Sequence, residues 1–280
     1  MRWRNTSLLV VAALAFIGSV FAIERQLPRP FREYNGVEYQ IGDVPVPTES
    51  TAPSEWAFAR LMYPPGWNDG YRNRFGGDWR EGWSLWTQDF PRADRHFSLA
   101  VRRLTRIDAR SIEQCVNLDD GDDVYNWPWL YAVQVGEWGI TDNQAQKLRD
   151  YLLRGGFFMA DDFHGTTEWA VFQESMHRVF PDRPIVDIPD SDPIFHTVYD
   201  LDDRYQIVGA EHLQEGHKYD GYVAGWRGIY DDRGRVMIAI SFNSDVGDSW
   251  EWADDPRYPE KFSALGVRLG VNYIVYAMTH

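Results

Sequence analysis

The sequence predicts an α/β protein: a doubly wound, mostly parallel sheet with an antiparallel hairpin at one edge. Three observations predict it. Two apolar runs, Trp129 to Val135 and Phe157 to Ala160, lack the polar alternation of a half-exposed strand, as expected where helices cover both faces. Between them lies a segment of helical period, giving β-α-β and hence a parallel pair with a right-handed crossover. Gly225 to Tyr230 and Arg235 to Ser241 flank an Asp-Asp-Arg-Gly turn, the pattern of a hairpin.

The chain begins MRWRNTSLLVVAALAFIGSVFA. Arg2 and Arg4 form a basic n-region and Leu8 to Ile17 an apolar h-region. Val20 and Ala22 are small residues three and one before a cleavage point. The apolar run is short for a membrane span, which takes about 20 residues. Residues 1–22 therefore read as a cleaved signal peptide, with an uncleaved inner-membrane anchor as the alternative. Either way the remainder is exported, and a periplasmic address is expected. Residues 23–52 are proline-rich and aperiodic, an extended lead-in, and 53–280 form one domain.

Within that domain Trp56 to Tyr63 is the first strand, ended by Pro64 and Pro65. A long stretch to Phe90 follows, rich in glycine and in Trp67, Tyr71, Phe75, Trp79, Trp83 and Trp86. A connection of that length is usually functional or carries its own packing, and this one overhangs the C-terminal edge of the sheet. Pro91 to Arg106 is a helix with Phe97, Val101 and Leu104 inward, and Ser111 to Val116 a strand holding Cys115. The acidic loop Leu118 to Asp123 lacks the alternating oxygens and closing glutamate of an EF-hand, so it reads as a solvated turn.

Thr141 and Gln144 form a capping box that opens the crossover helix, with Ala145, Leu148 and Leu152 on its core face. Gly155 and Gly156 stop it, because glycine takes the left-handed position without a Cβ clash. Thr166 to Phe180 is a further helix with Trp169, Phe172, Met176 and Val179 inward. Residues 181–219 are mostly irregular. Pro259 to Met278 closes the chain as a helix whose core stripe is Phe262, Leu265, Leu269, Tyr273 and Tyr276.

With 44% hydrophobic residues the chain can bury a sizeable core. Its formal charge of −14 makes nucleic acid and anionic lipid improbable partners, since like charges repel. One cysteine in an exported chain leaves no internal disulfide, so packing alone must hold the fold.

Several pieces resemble one family: WAFARLMYP, DFPRADRHFSLAVRRLTRID, PWLYAVQ, LRDYLLRGGFFMADDFHG, PIFHTVYDL and SFNSDVGDSWE, in that order. Together they resemble the bacterial proteins grouped as domain of unknown function 4159, over roughly residues 53 to 279. The resemblance implies a flavodoxin-like or class I glutamine amidotransferase-like fold near the ThuA-type proteins. It also implies a gene neighbourhood of MoxR-type ATPases and membrane-associated von Willebrand A-domain proteins, and no assigned activity. Many members carry His-Pro where this chain has Asp192-Pro193, with His196 nearby.

The candidate chemistry lies beyond the strand ends. Asp161, Asp162 and His164 follow one apolar run, and Asn243 and Asp245 follow another, at the edge where open α/β sheets bind ligands. Asp161, Asp162 and His164, with Asp245 or Glu137, could hold a divalent metal or act as general acid and base. The competing structural reading has Asp162 capping the next helix and Asp161 paired with Arg92 or Arg95. Cys115 sits in RSIEQCVNL without the glycine-flanked elbow an attacking thiolate needs, so glutaminase activity is excluded.

The 13 tryptophans admit two readings, a sugar-stacking rim at Trp79, Trp83 and Trp86 or a mini-core built by the long connection. Two functions follow. The first is a non-catalytic binding or assembly module that takes a glycan or cell-wall ligand. The second is a hydrolase, metal-assisted or not, acting on a carbohydrate or wall component.

Overall fold

The computed structural model describes residues 28–48, 54–66 and 77–280. The leader lies outside the described residues, as do Trp67, Tyr71 and Phe75. Seven strands form one sheet: β1 (Ala59–Met62), β2 (Gln114–Asn117), β3 (Trp129–Ala132), β4 (Phe157–Ala160), β5 (Val186–Asp187), β6 (Gly225–Tyr230) and β7 (Val236–Phe242). Their spatial order is β2-β1-β3-β4-β7-β6-β5. The pairs among β2, β1, β3, β4 and β7 are all parallel, whereas β6 runs antiparallel to both β7 and β5. The fold is therefore α/β with a mixed, mostly parallel sheet and antiparallel edge strands, as expected.

Five α-helices accompany it among the described residues: α1 (Arg92–Leu104), α2 (Asp142–Leu153), α3 (Gly165–Val179), α4 (Val246–Glu251) and α5 (Glu260–Thr279). None is long and apolar enough to cross a membrane. Side chains alternate across a strand, so β4 feeds both layers. Phe158 joins Leu61, Leu130 and Ile238 beneath α2 and α3, through Leu148 and Phe172. Phe157 and Met159 join Phe58, Trp129 and Val236 on the other face, against α1, α4 and α5, through Phe97, Trp250 and Leu265. Each fully buried aromatic or leucine contributes roughly 1.5–3 kcal/mol, which is why all four residues of β4 are apolar and buried.

Both halves of the capping box at Thr141 and Gln144 are present. Gly155 takes φ +106° just past α2, as its stop role requires. The terminal helix buries its five predicted core residues. Three details differ from expectation. Leu104 is 49% exposed, at the last position of the helix before the chain departs at Thr105. The strand around Cys115 starts at Gln114 rather than Ser111. The six-residue α4 carries too little periodicity to announce itself, and its polar residues Asp248, Ser249 and Glu251 are nevertheless buried.

The lead-in lies along the domain and is tied down by side chains. Arg95 bonds Glu113 and reaches the Val44 and Pro45 carbonyls. The Asp89 amide donates to Glu38 at 2.8 Å, and the Tyr39 hydroxyl donates to Glu251 across 212 residues of sequence.

Candidate functional site

The register of β4 on β7, Phe158 opposite Ile238 and Ala160 opposite Ile240, carries both strands to the same edge. There the chain turns sharply. Gln134, Asp162 and Asn243 all take positive φ, at 51°, 46° and 61°. Non-glycine residues hold that conformation only where their surroundings fix it. At Asp162 the surroundings are visible: Gln134 donates its Nε2 to Oδ2 at 2.7 Å, and His164 Nε2 lies 3.0 Å from Oδ1. Lys218 Nζ stands 3.8 Å from Oδ1. Burial pushes the Asp162 carboxyl up, but Lys218 and His164 outweigh it and leave it below the ordinary carboxylate range. Burial in turn lowers His164 against the pull of Asp162.

Asp161 has a different task. It is fully buried and accepts from the Tyr131 hydroxyl at 2.7 Å, the Gly247 amide at 2.8 Å and the Val246 amide at 3.2 Å. It thus satisfies the first amides of α4, which have no partner within their own helix. Burial pushes its carboxyl up to about 7 against the pull of Tyr131. Asn243 Oδ1 accepts from Gly165, at the start of α3, and its Nδ2 donates to the Val223 carbonyl. Asp245 caps α4 by accepting from the Asp248 amide at 2.9 Å.

The predicted strand-end residues therefore share one edge, but the expected partners differ. Asp162 does not cap α3, whose first amides are met by Asn243 and Asp220. Among the described residues no arginine bonds Asp161. Arg92 reaches Asp254 and Arg95 reaches Glu113, because α1 points them along its flank rather than over the edge. Glu137 is half-buried at the β3 end, and its backbone carbonyl accepts from Gly66.

Of a second carboxylate cluster at this edge, only Asp245 was predicted. Asp89, from the connection after β1, meets Asp245 and Asp248 with carboxylate oxygens within 4.8 Å of one another, and it meets Glu38 and Glu251 in the same way. Asp161, Asp162 and His164 form no such triad among the described residues. Burial, then Asp248 and Glu251, hold the Asp89 carboxyl well above its usual range. Burial, then Glu38 and Asp248, push Glu251 up to about 8. Oδ2 of Asp89 and Oε2 of Glu251 are buried without any hydrogen-bond donor. The sequence signal for this pocket was thin. Asp248 and Glu251 share a helical face with Asp245, but Asp89 and Glu38 meet them only through tertiary folding.

Of the three rim tryptophans one is core. Trp86 is fully buried, its Nε1 donating to the Trp79 carbonyl, because the connection needs apolar bulk under it. It offers no ring face to a ligand. Trp83 is 41% exposed, while Trp79 is half-buried with Arg80 over its ring at 4.4 Å. Trp56, Trp129, Trp138 and Trp250 are likewise buried. Asp192, at the His-Pro position, caps a short turn through Ile194 and accepts from Tyr230, while His196 bonds Asp190 and Asp200.

A family model described as Domain of unknown function (DUF4159) matches residues 80–278, well over half of the chain. The chain belongs to this family. None of the curated proteins matches it. The DUF4159 match takes in Asp89, Asp161, Asp245, Asp248 and Glu251, but leaves β1 and Glu38 outside its span.

Proposed function

We propose that this chain is an exported, non-catalytic binding or assembly module built on a flavodoxin-like, glutamine amidotransferase-like sheet that has no nucleophile. The observation that carries the reading is the closure of the strand-end acids. Asp161, Asp162 and Asp245 are buried, and each is engaged by neighbouring protein groups. A hydrolase needs such groups convergent and open to water and substrate. Asp162 stands at a strand-to-helix elbow with φ +46°, but its carboxylate is held by Gln134 and His164. Cys115 lies inside β2, and although part of the residue reaches the surface its thiol is held well above its usual range by burial.

The ligand class we propose is the glycan of the cell wall, with the exposed ring of Trp83 as its stacking face. Co-sedimentation of the mature chain with purified wall sacculi tests this. Wild type is expected in the pellet, and Trp83→Ala is expected to shift it at least several-fold toward the supernatant. A protein that stays in the supernatant refutes the ligand class. Turnover of chromogenic glycoside or ester substrates that vanishes in Asp162→Asn refutes the non-catalytic reading.

A further inference from the structure

We propose that Asp89, Asp245 and Asp248 bind one hard divalent cation, for which calcium is the probe, with Glu38 and Glu251 forming the second triad that shares Asp89. The donors are all carboxylate oxygens, with neither cysteine nor histidine among them, which selects a hard cation over zinc or copper. The oxygens of each triad lie within 4.8 Å of one another, close enough for one ion to touch all three.

The independent observation is the pair of orphaned atoms. Asp89 and Glu251 are each 1% exposed, and Asp89 Oδ2 and Glu251 Oε2 find no donor. Buried polar atoms are ordinarily satisfied, and an unmet carboxylate oxygen among other carboxylates is short of positive charge. No lysine or arginine forms an ion pair with Asp89, Asp245, Asp248 or Glu251 among the described residues. Lys218 pairs with Asp162 and acts on Asp245 only at longer range. The backbone leaves room for the carboxylates, since a Cβ on Gly209 would meet Asp245 Oδ2 at 2.5 Å, and one on Gly247 would meet Asp89 Oδ2 at 2.4 Å. A cation there also fastens the connection after β1 to α4, two segments far apart in sequence.

The test uses the full mature chain stripped with chelator. Equilibrium dialysis against radiolabelled calcium should find one ion per chain. Calcium at about 100-fold over its dissociation constant should raise the melting temperature by about 5–10 °C over chelator. Terbium should luminesce on tryptophan excitation, because Trp252 Nε1 lies 3.2 Å from Asp248 Oδ1, and calcium should quench that signal by competition.

Asp89→Asn keeps the side-chain shape, and asparagine tolerates the φ of +60° at this position. It should lose at least tenfold in calcium affinity, while the exposed Asp232→Asn should lose none. Absence of bound calcium in wild type overturns the proposal, since protons alone then settle the pocket. So does a folded Asp89→Asn with unchanged affinity. If Asp89→Asn does not fold, the wild-type dialysis and Asp248→Asn decide. The proposal does not depend on wall binding: sacculus binding and the calcium response are read separately, and either can fail without the other.

Discussion

Truncating Asp161 to alanine tests the strand-end architecture most directly. The carboxylate serves three donors: the Tyr131 hydroxyl and the Val246 and Gly247 amides. At 0% exposure no bulk water replaces it. Each buried donor left unmet costs about 1–3 kcal/mol, and loss of a helix-capping group about 1 kcal/mol. Relief of a carboxyl already pushed up to about 7 returns part of this at neutral pH. The net loss is on the order of 3–5 kcal/mol. Because the donors are neutral, no opposing charge is stranded. For a domain of this size 1 kcal/mol shifts the melting temperature by roughly 2–4 °C, so the fall should be roughly 6–20 °C. Asp161→Asn retains an acceptor for two donors and sets an amide N–H against the third, a loss of about 1–3 kcal/mol. Calorimetry in chelator, with circular dichroism to confirm folding, reads both. An alanine variant that melts within about 2 °C of wild type refutes the capping role of Asp161.

Arg60 and Asp94 form a fully buried ion pair, so Arg60→Met alone should cost about 3–5 kcal/mol, read by urea unfolding, and Asp94→Leu in the same chain should restore much of it. Stability should also fall as pH rises. Burial raises Asp161 to about 7, Glu168 to about 7 and Asp94 to about 6, so their contribution is complete below about pH 4 and lost as pH climbs through 6–7. One pH unit on one such carboxyl is worth about 1.4 kcal/mol. The chelated protein should therefore melt at least several degrees higher at pH 5.5 than at pH 8.5, and a flat or inverted profile contradicts the burial argument. Cys115 should label with an exposed-thiol reagent at pH 7 far more slowly in the native than in the unfolded protein, and Cys115→Ser should leave sacculus binding unchanged. Mass spectrometry of protein from its native compartment should find a mature N-terminus close to Ile23.

What was legible in the sequence had local causes. The capping box at Thr141 and the glycine stop at Gly155 act within one turn of chain, so residue types alone reveal them. Phe157 to Ala160 declared a strand covered on both faces because every residue is apolar. That Asp161, Asp162, Asn243 and Asp245 share one edge follows from the parallel pairing of β4 and β7, on which the sequence left it conditional. The identity of their partners does not. Tyr131 on the neighbouring strand reads as a core residue until the register places its hydroxyl beside Asp161. Asp89 and Glu38 were invisible for a stronger reason, since each is an ordinary acidic residue in a loop-like stretch. The two readings of Trp86 stayed open because a tryptophan that fills a connection and one that stacks on a ligand look alike in a string.

The path of residues 33–45 across the acidic pocket has a consequence for how the molecule opens. Its ties to the domain are an isolated bridge between Asn35 and Gly82 and side-chain bonds at Val37, Glu38, Tyr39 and Arg95, not a continuous strand ladder. Opening a segment so lightly attached requires far less free energy than global unfolding, and native-state hydrogen exchange resolves such partial openings. The amides of Gly36 and Val37, bonded to Tyr39 and Thr87, should therefore exchange well ahead of those in β4 and β7. Repulsion between Glu38 and the acids beneath it loosens the segment further, and neutralising those acids tightens it. Protection factors at two amides thus report the charge state of a pocket they do not touch.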